Sequence, residues 1–341
     1  MIRRRGTAVA SALLCAALAA AGCGLGPGAD VGSVGLTVTR EFGAMPVLER
    51  SLAAKESDTV MRVLEGEAEI ETRFGGGFVH AIDGVAERRQ GGRPYDWFFF
   101  VDGVESPIGA AEYELEGGER IWWDYHDWST TNHVPAVVGS WPAPFEQGVG
   151  DKRYPVVVEC AEGSRGSFRT YDVQKEPRDG GACDLTLRAL EREGVKVASG
   201  VDASSEQEKA IRVLVGPWQQ LRTDPAAKLI EAGPAESGVF ANFEAGVRPF
   251  GEIDPERTNA DGVYGLVALD EGGEPARRLG PDAGLVAATS RYGGPPVWLV
   301  TGGTATAVRA AAAALDAAHL RDHYAVAIED GKTTPLPLEG R

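Results

Sequence analysis

The sequence predicts two folded units, an N-terminal α+β domain over residues 36–140 and a C-terminal α/β layered domain over residues 154–335. Three observations carry this reading. Up to Trp128 short apolar runs alternate with period two, interrupted by one stripe of helical spacing. After Tyr154 short β-rich runs alternate with helical ones, the pattern of a sheet layered with helices. Between them, STTNHVPAVVGSWPAPFEQGVGDKR holds three prolines and several glycines, and its residues 141–153 read as a linker.

In the first unit Leu36 and Val38 set the alternation of GLTVTREF, which Gly43 ends. Ser57 and Asp58 precede Val60, Val63, Leu64 and Ala68, whose spacing lays one apolar stripe along a helix. A Gly75-Gly76-Gly77 break follows, and then three strand-like runs, FVHAIDGV, DWFFFVDGV and YELEGGERIWWDYHDW. Asp83-Gly84, Asp102-Gly103 and Gly117-Gly118 turn the chain between strands. The order strand, strand, helix, strands predicts a small sheet packed on one helix.

In the second unit YPVVVECA and IRVLVGPW are short strands, and Cys183, Leu187 and Leu190 mark a helix face that Gly194 closes. Another helix starts at Asp224, with Pro225 in its first turn, and ends near Gly233. VYGLVALD, GLVAATSR and PVWLVTGG follow, then a helix from Thr304 to Leu320 and a last run, YAVAIEDG. The Thr301-Gly302-Gly303-Thr304 turn sits where backbone N–H groups can hold an anion, but no Gly-Lys-Ser/Thr follows; a tight turn with a Thr304 cap is the simpler reading.

Residues 1–22 read as an export signal: Arg3-Arg4-Arg5, an apolar stretch from Ala8 to Ala21, and small residues before Cys23. Those small residues resemble a bacterial lipoprotein box, which implies that Cys23 carries a lipid and becomes the N-terminus; ordinary cleavage near Ala21 is the alternative. The expected location is the extracytoplasmic face of the cell membrane, held by that lipid, with the glycine-rich residues 23–35 as a flexible tether. Cys15 lies in the removed segment, so Cys160 and Cys183 remain, and export predicts that they form a disulfide. Loss of residues 1–22 takes three arginines and no acid, leaving 31 basic against 50 acidic side chains, a balance of −19. Such a surface argues against nucleic acid as a partner, because phosphates require a basic face.

The stretch from Leu36 to Trp128 resembles the transcobalamin-like C-terminal domain family. The resemblance rests on SDTVMRVL, GFVHAIDGV, YDWFFFVDGV and AAEYELEGGERIWWDY, with Glu119 where that family usually has Asp. It implies a β-grasp-like fold and a corrinoid such as cobalamin, or another flat compound, as candidate ligand. In the animal B12 carriers the corresponding domain closes over the corrin with a helical barrel, which this chain lacks. A separate partner would have to supply that half, and no cofactor is expected.

Trp122, Trp123, Tyr125 and Trp128 form the densest aromatic cluster, with Trp97 and Phe99 on a neighbouring strand. Successive strand side chains face opposite ways, so Trp122 and Trp123 cannot share one core; one must face solvent, another domain or a ligand. Trp97, Phe99, Trp122, Trp123, Tyr125 and Trp128 are therefore the candidate ligand-binding residues, and packing against the linker carrying Trp141 and Phe145 is the competing reading. His126 and His133 match no metal spacing and read as surface histidines near a domain edge. With no GxSxG, no HExxH and no free cysteine, no catalytic or metal-binding residue is assigned. The expectation is a binding lipoprotein serving uptake beside a transporter, or else one that binds another envelope protein.

Overall fold

The computed structural model describes residues 28–162, 167–170, 180–198, 209–246, 264–291 and 293–340. The signal segment 1–22, the lipidation candidate Cys23 and the first part of the tether lie outside the described residues. The first unit opens with β1 (Asp30–Arg40) and β2 (Met45–Lys55), an antiparallel hairpin whose register starts at Asp30 opposite Lys55. Residues 30–35, expected in the tether, are thus strand: Val34 is already buried and Gly35 lies opposite Arg120.

Helix α1 (Val60–Glu67) follows and buries Val60, Val63 and Leu64 of the stripe read from the sequence together with Met61, while Ala68, the fourth residue of that stripe, is the helix C-cap. Its N-cap is Thr59, whose side chain accepts the Arg62 N–H. Asp58 is diverted because its carboxylate closes the preceding turn by accepting the Lys55 N–H at 2.8 Å. Next come β3 (Ile70–Arg73), β4 (Phe78–Ile82) and β5 (Val85–Ala86), a small three-stranded sheet. The chain then forms β6 (Arg88–Gln90), β7 (Arg93–Val101), β8 (Val104–Glu105) and β9 (Arg120–Asp127).

The main sheet has the order β2-β1-β9-β7-β6, with β8 paired to β7. Strand β9 runs parallel to β1 and antiparallel to β7, so a hairpin, a crossing helix and a parallel central strand give the β-grasp-like arrangement.

In the second unit a short helix, α2 (Ala143–Glu146), leads to β10 (Val156–Glu162) and β11 (Ser167–Thr170). Then follow α3 (Ala182–Arg192), β12 (Ile211–Pro217), α4 (Trp218–Leu221), α5 (Pro225–Ala232) and α6 (Pro234–Ser237). The chain continues through β13 (Ala241–Ala245), β14 (Tyr264–Leu269), β15 (Pro275–Arg278), β16 (Gly284–Thr289) and β17 (Val297–Gly302). It ends with α7 (Ala305–Ala313), α8 (Ala317–Leu320), β18 (Ala325–Glu329) and β19 (Lys332–Leu336). The expected helix Thr304–Leu320 is broken because Asp316 accepts the His319 N–H and starts α8 as a new helix.

The large sheet has the order β11-β10-β12-β17-β16-β18-β19, with β10, β12 and β17 parallel and the rest antiparallel. Both faces are covered, which is why its strands read as nearly continuous apolar runs. Val213, Val215, Trp298 and Val300 face α3 and α7, while Leu214, Leu285 and Leu299 face α4, α5 and the small sheet β13-β14-β15. Trp141 and Phe145, in the span read as a linker, lie in this first core against Trp298, at ring-centroid distances of 5.6 and 4.9 Å. Cys160 of β10 is bonded to Cys183 of α3, with Cα atoms 6.2 Å apart. Inside the second core Arg212 spans two buried carboxylates, Glu159 at 2.7 and 2.8 Å and Asp224 at 2.7 Å. Both carboxylates are hydrogen-bonded to the one guanidinium, which ties β10, β12 and the start of α5 together.

Candidate functional site

Strand β9 sorts its side chains strictly by parity. Ile121, Trp123 and Tyr125 enter the core over α1, whereas Trp122 enters a cluster with Phe42, Phe100, Phe240 and Tyr324 that joins the two units. The exposed aromatic platform expected from the sequence is therefore not formed at Trp122, Trp123 or Tyr125, each at most 2 % exposed. The physical reason is that β9 is central and covered twice, by its own helix on one side and by the second unit on the other. The partners of Trp122 are Phe100 and Tyr324, not the segment carrying Trp141 and Phe145. Tyr125 donates its hydroxyl to the Ala86 carbonyl at 2.8 Å, and Trp97, also buried, donates its indole N–H to Val85 at 2.8 Å. Phe99 and Trp128 are half-buried.

The polar residues of the same β9 face build the floor of the interface. Asp124 accepts the Phe42 and Gly43 N–H groups at 3.1 and 3.0 Å, the Thr39 hydroxyl, and the Tyr324 hydroxyl at 3.2 Å; the His126 ring nitrogen lies 2.9 Å away. Trp122 donates to Thr39 at 2.8 Å. Burial and the Asp124 charge push the Tyr324 phenol well above its ordinary range. His126 is thus an interior histidine, correcting the surface reading, because the second unit closes over that face. His133 does remain mostly exposed, 2.7 Å from Glu105, and this hydrogen bond raises its pKa. Among the described residues no group of three or more His, Cys, Asp or Glu could hold a metal ion, and no helix is long and apolar enough to cross a membrane.

On the other side of the sheet a half-open groove of about 190 Å³ separates β4 from β7, roofed by the loop 105–110. It exists because β7 is only partly paired on its outer edge: β6 covers it through Tyr95 and β8 from Phe100 onward. Between these, residues Asp96–Phe99 face Phe78 and Val79 across the gap. Three of the candidate binding residues, Trp97, Phe99 and Trp123, line this groove. Phe99 stacks on Trp123 with ring centroids 4.9 Å apart, and the buried Trp123 indole N–H has no acceptor among the described residues.

Asp96 and Glu105 are carboxylates of the wall. Glu105 accepts the Val134 N–H at 2.7 Å and lies 2.7 Å from His133, which leaves Asp96 as the one without a basic partner at contact distance among the described residues. One oxygen of Asp96 accepts the Trp97 N–H at 2.8 Å, and no lysine or arginine pairs with it among the described residues. Burial, with a smaller contribution from the charge of Glu87, raises its pKa. Beyond the lining residues, Phe74 is 88 % exposed at the tip between β3 and β4, its ring 6.1 Å from Phe78, and Ile108 is 45 % exposed on the loop 105–110. Sequence reasoning did not single out Asp96, Phe78 or Val79. Their only signal was membership of strands whose edges do not meet.

A family model described as a domain of unknown function (DUF4430) matches residues 57–127. The matched span runs from the turn before α1 to the end of β9 and contains every wall of the groove. It leaves the β1–β2 hairpin and the entire second unit unmatched. No curated protein matches the chain.

Proposed function

We propose that this chain is an exported, lipid-anchored binding protein that takes an apolar group of its ligand into the groove between β4 and β7. The observation that carries this reading is the convergence of Trp97, Phe99 and Trp123 on one opening at the unpaired stretch of β7. Apolar walls with a few polar groups are the usual make-up of ligand sites. The family match falls inside the stretch that resembles the transcobalamin-like domains, which supports a corrinoid as ligand candidate. The groove sets a limit on that candidate: at about 190 Å³ it is smaller than the roughly 300–1,000 Å³ of sites that engulf a drug-sized molecule. A corrin would meet it by an edge or a substituent, and a partner protein would have to cover the remainder.

The test is a titration of soluble protein, residues 24–341, with cobinamide and cobalamin, following tryptophan emission and corrinoid absorption. The reading expects a saturable change that Ser106→Phe, placed at the groove wall, abolishes. A saturable change that survives Ser106→Phe would move the site elsewhere. The absence of any change removes corrinoids from the candidates and favours the alternative, an envelope lipoprotein that binds another protein.

A further inference from the structure

The chemistry of the groove is more specific than its shape. Granted that the groove is the binding site, we infer that it accepts an alkylammonium group, with its hydrocarbon against Phe99 and Trp123 and its positive charge toward Asp96. Asp96 is a partly buried carboxylate with one oxygen committed to a backbone N–H and, among the described residues, no lysine or arginine paired to it. Elsewhere in the chain the enclosed Glu159 and Asp224 share Arg212, whereas Asp102, like Asp96, accepts a backbone N–H; of these carboxylates Asp96 is the one that lines the groove.

Nearby basic side chains are already engaged: His80 lies 3.7 Å from Glu87, His126 2.9 Å from Asp124 and Arg73 3.2 Å from Glu87, and His133 is taken by Glu105. An anion entering the groove would meet Asp96 with no free positive partner, whereas a cation would supply the missing charge. The remaining walls suit the same ligand, since indole and phenyl faces attract ammonium groups through their quadrupoles. The negative balance of the protein, −16 over the whole chain, raises the local concentration of cations. The unpaired Trp123 N–H offers a place for an oxygen carried beside the nitrogen. Small volume confines the site to one such group.

Two sources share this chemistry, a free quaternary or primary ammonium compound and a lysine side chain on an extended segment of another protein. Amide and indole NMR spectra of residues 24–341 would be followed with choline, with its neutral isostere 3,3-dimethylbutanol, and with a lysine peptide beside its norleucine counterpart. Expected are saturable shifts at Trp123 and Phe99, with at least one cation about tenfold tighter than its neutral isostere and weakened about tenfold by Asp96→Asn. Asp96→Asn keeps the acceptor for the Trp97 N–H, so the wall itself is preserved. Response to choline assigns a free ammonium compound, and response to the lysine peptide alone assigns a protein partner. Equal binding of charged and neutral probes, or indifference to Asp96→Asn, overturns the cation and leaves the groove standing. No shift at Trp123 or Phe99 with any probe overturns both.

Discussion

Asp102 opens the turn after β7 with φ at +52°, a conformation that Asp and Asn tolerate better than other side chains. Its carboxylate accepts the Arg120 N–H at 2.8 Å and is otherwise enclosed, and burial pushes its pKa up to about 7 from an ordinary 3.8. A raised acid pKa means that the folded state holds a proton which the unfolded chain has released. Stability from this group is therefore intact below pH 3.8 and is lost as pH rises to about 7. At about 1.4 kcal/mol per pH unit the loss is on the order of 4 kcal/mol. Asp102→Asn keeps the turn and removes the titration. Urea denaturation at about pH 5 and about pH 8 should show a smaller difference for the variant than for the native protein. Equal differences would mean that Asp102 ionises normally. None of this was legible in the Asp-Gly dipeptide, which signals a turn but not what surrounds it.

At the scale of elements, two constraints join segments that propensity alone leaves apart. The Cys160–Cys183 bond ties β10 to α3 across 23 residues. Replacing both cysteines with serine should lower stability by about 3 kcal/mol, read from the urea midpoint. An unchanged midpoint would show that the connection is held without the bond. The turn between β1 and β2 is constrained from outside: Gly43 has φ +87°, and a Cβ there would lie 1.8 Å from the carbonyl oxygen of Asp322 in the second unit. Gly91, in the turn between β6 and β7, has φ +60° and open space around its Cβ position. Gly91→Ala should cost about 1–2 kcal/mol of backbone strain. Gly43→Ala carries similar strain and should cost roughly 1–3 kcal/mol beyond it through the clash. Thermal melts of the two variants separate the terms, and equal losses would exclude close docking of the hairpin. The sequence marked Gly43 as a strand end, correctly, but the neighbour that makes glycine necessary lies far along the chain.

Across the whole molecule the two units share a core of Phe42, Phe100, Trp122, Phe240 and Tyr324, over the Asp124 network. The fragment 28–140 should therefore expose apolar surface, bind hydrophobic dyes and unfold at lower denaturant than the same unit in the intact chain. A fragment as stable as the intact unit and silent toward dye would show the interface to be incidental. The same interface explains how the candidate binding residues were divided. Alternation along β9 showed that Trp122 and Trp123 part company. It did not show that Trp122 is spent on the interface while Trp123 reaches the groove.

By itself the sequence determined the order and type of most elements, the pairing of the last two cysteines and the acidic balance. These come from local backbone geometry, side-chain periodicity and counting, which need no knowledge of distant residues. Tertiary structure alone decided which aromatic rings are covered and that β7 keeps an open edge. It also decided that Asp124 meets Tyr324 across 200 residues and that, among the described residues, no lysine or arginine pairs with Asp96. Burial of a strand face depends on what lands against it, and that is set by packing between segments whose separation in sequence carries no record of their contact.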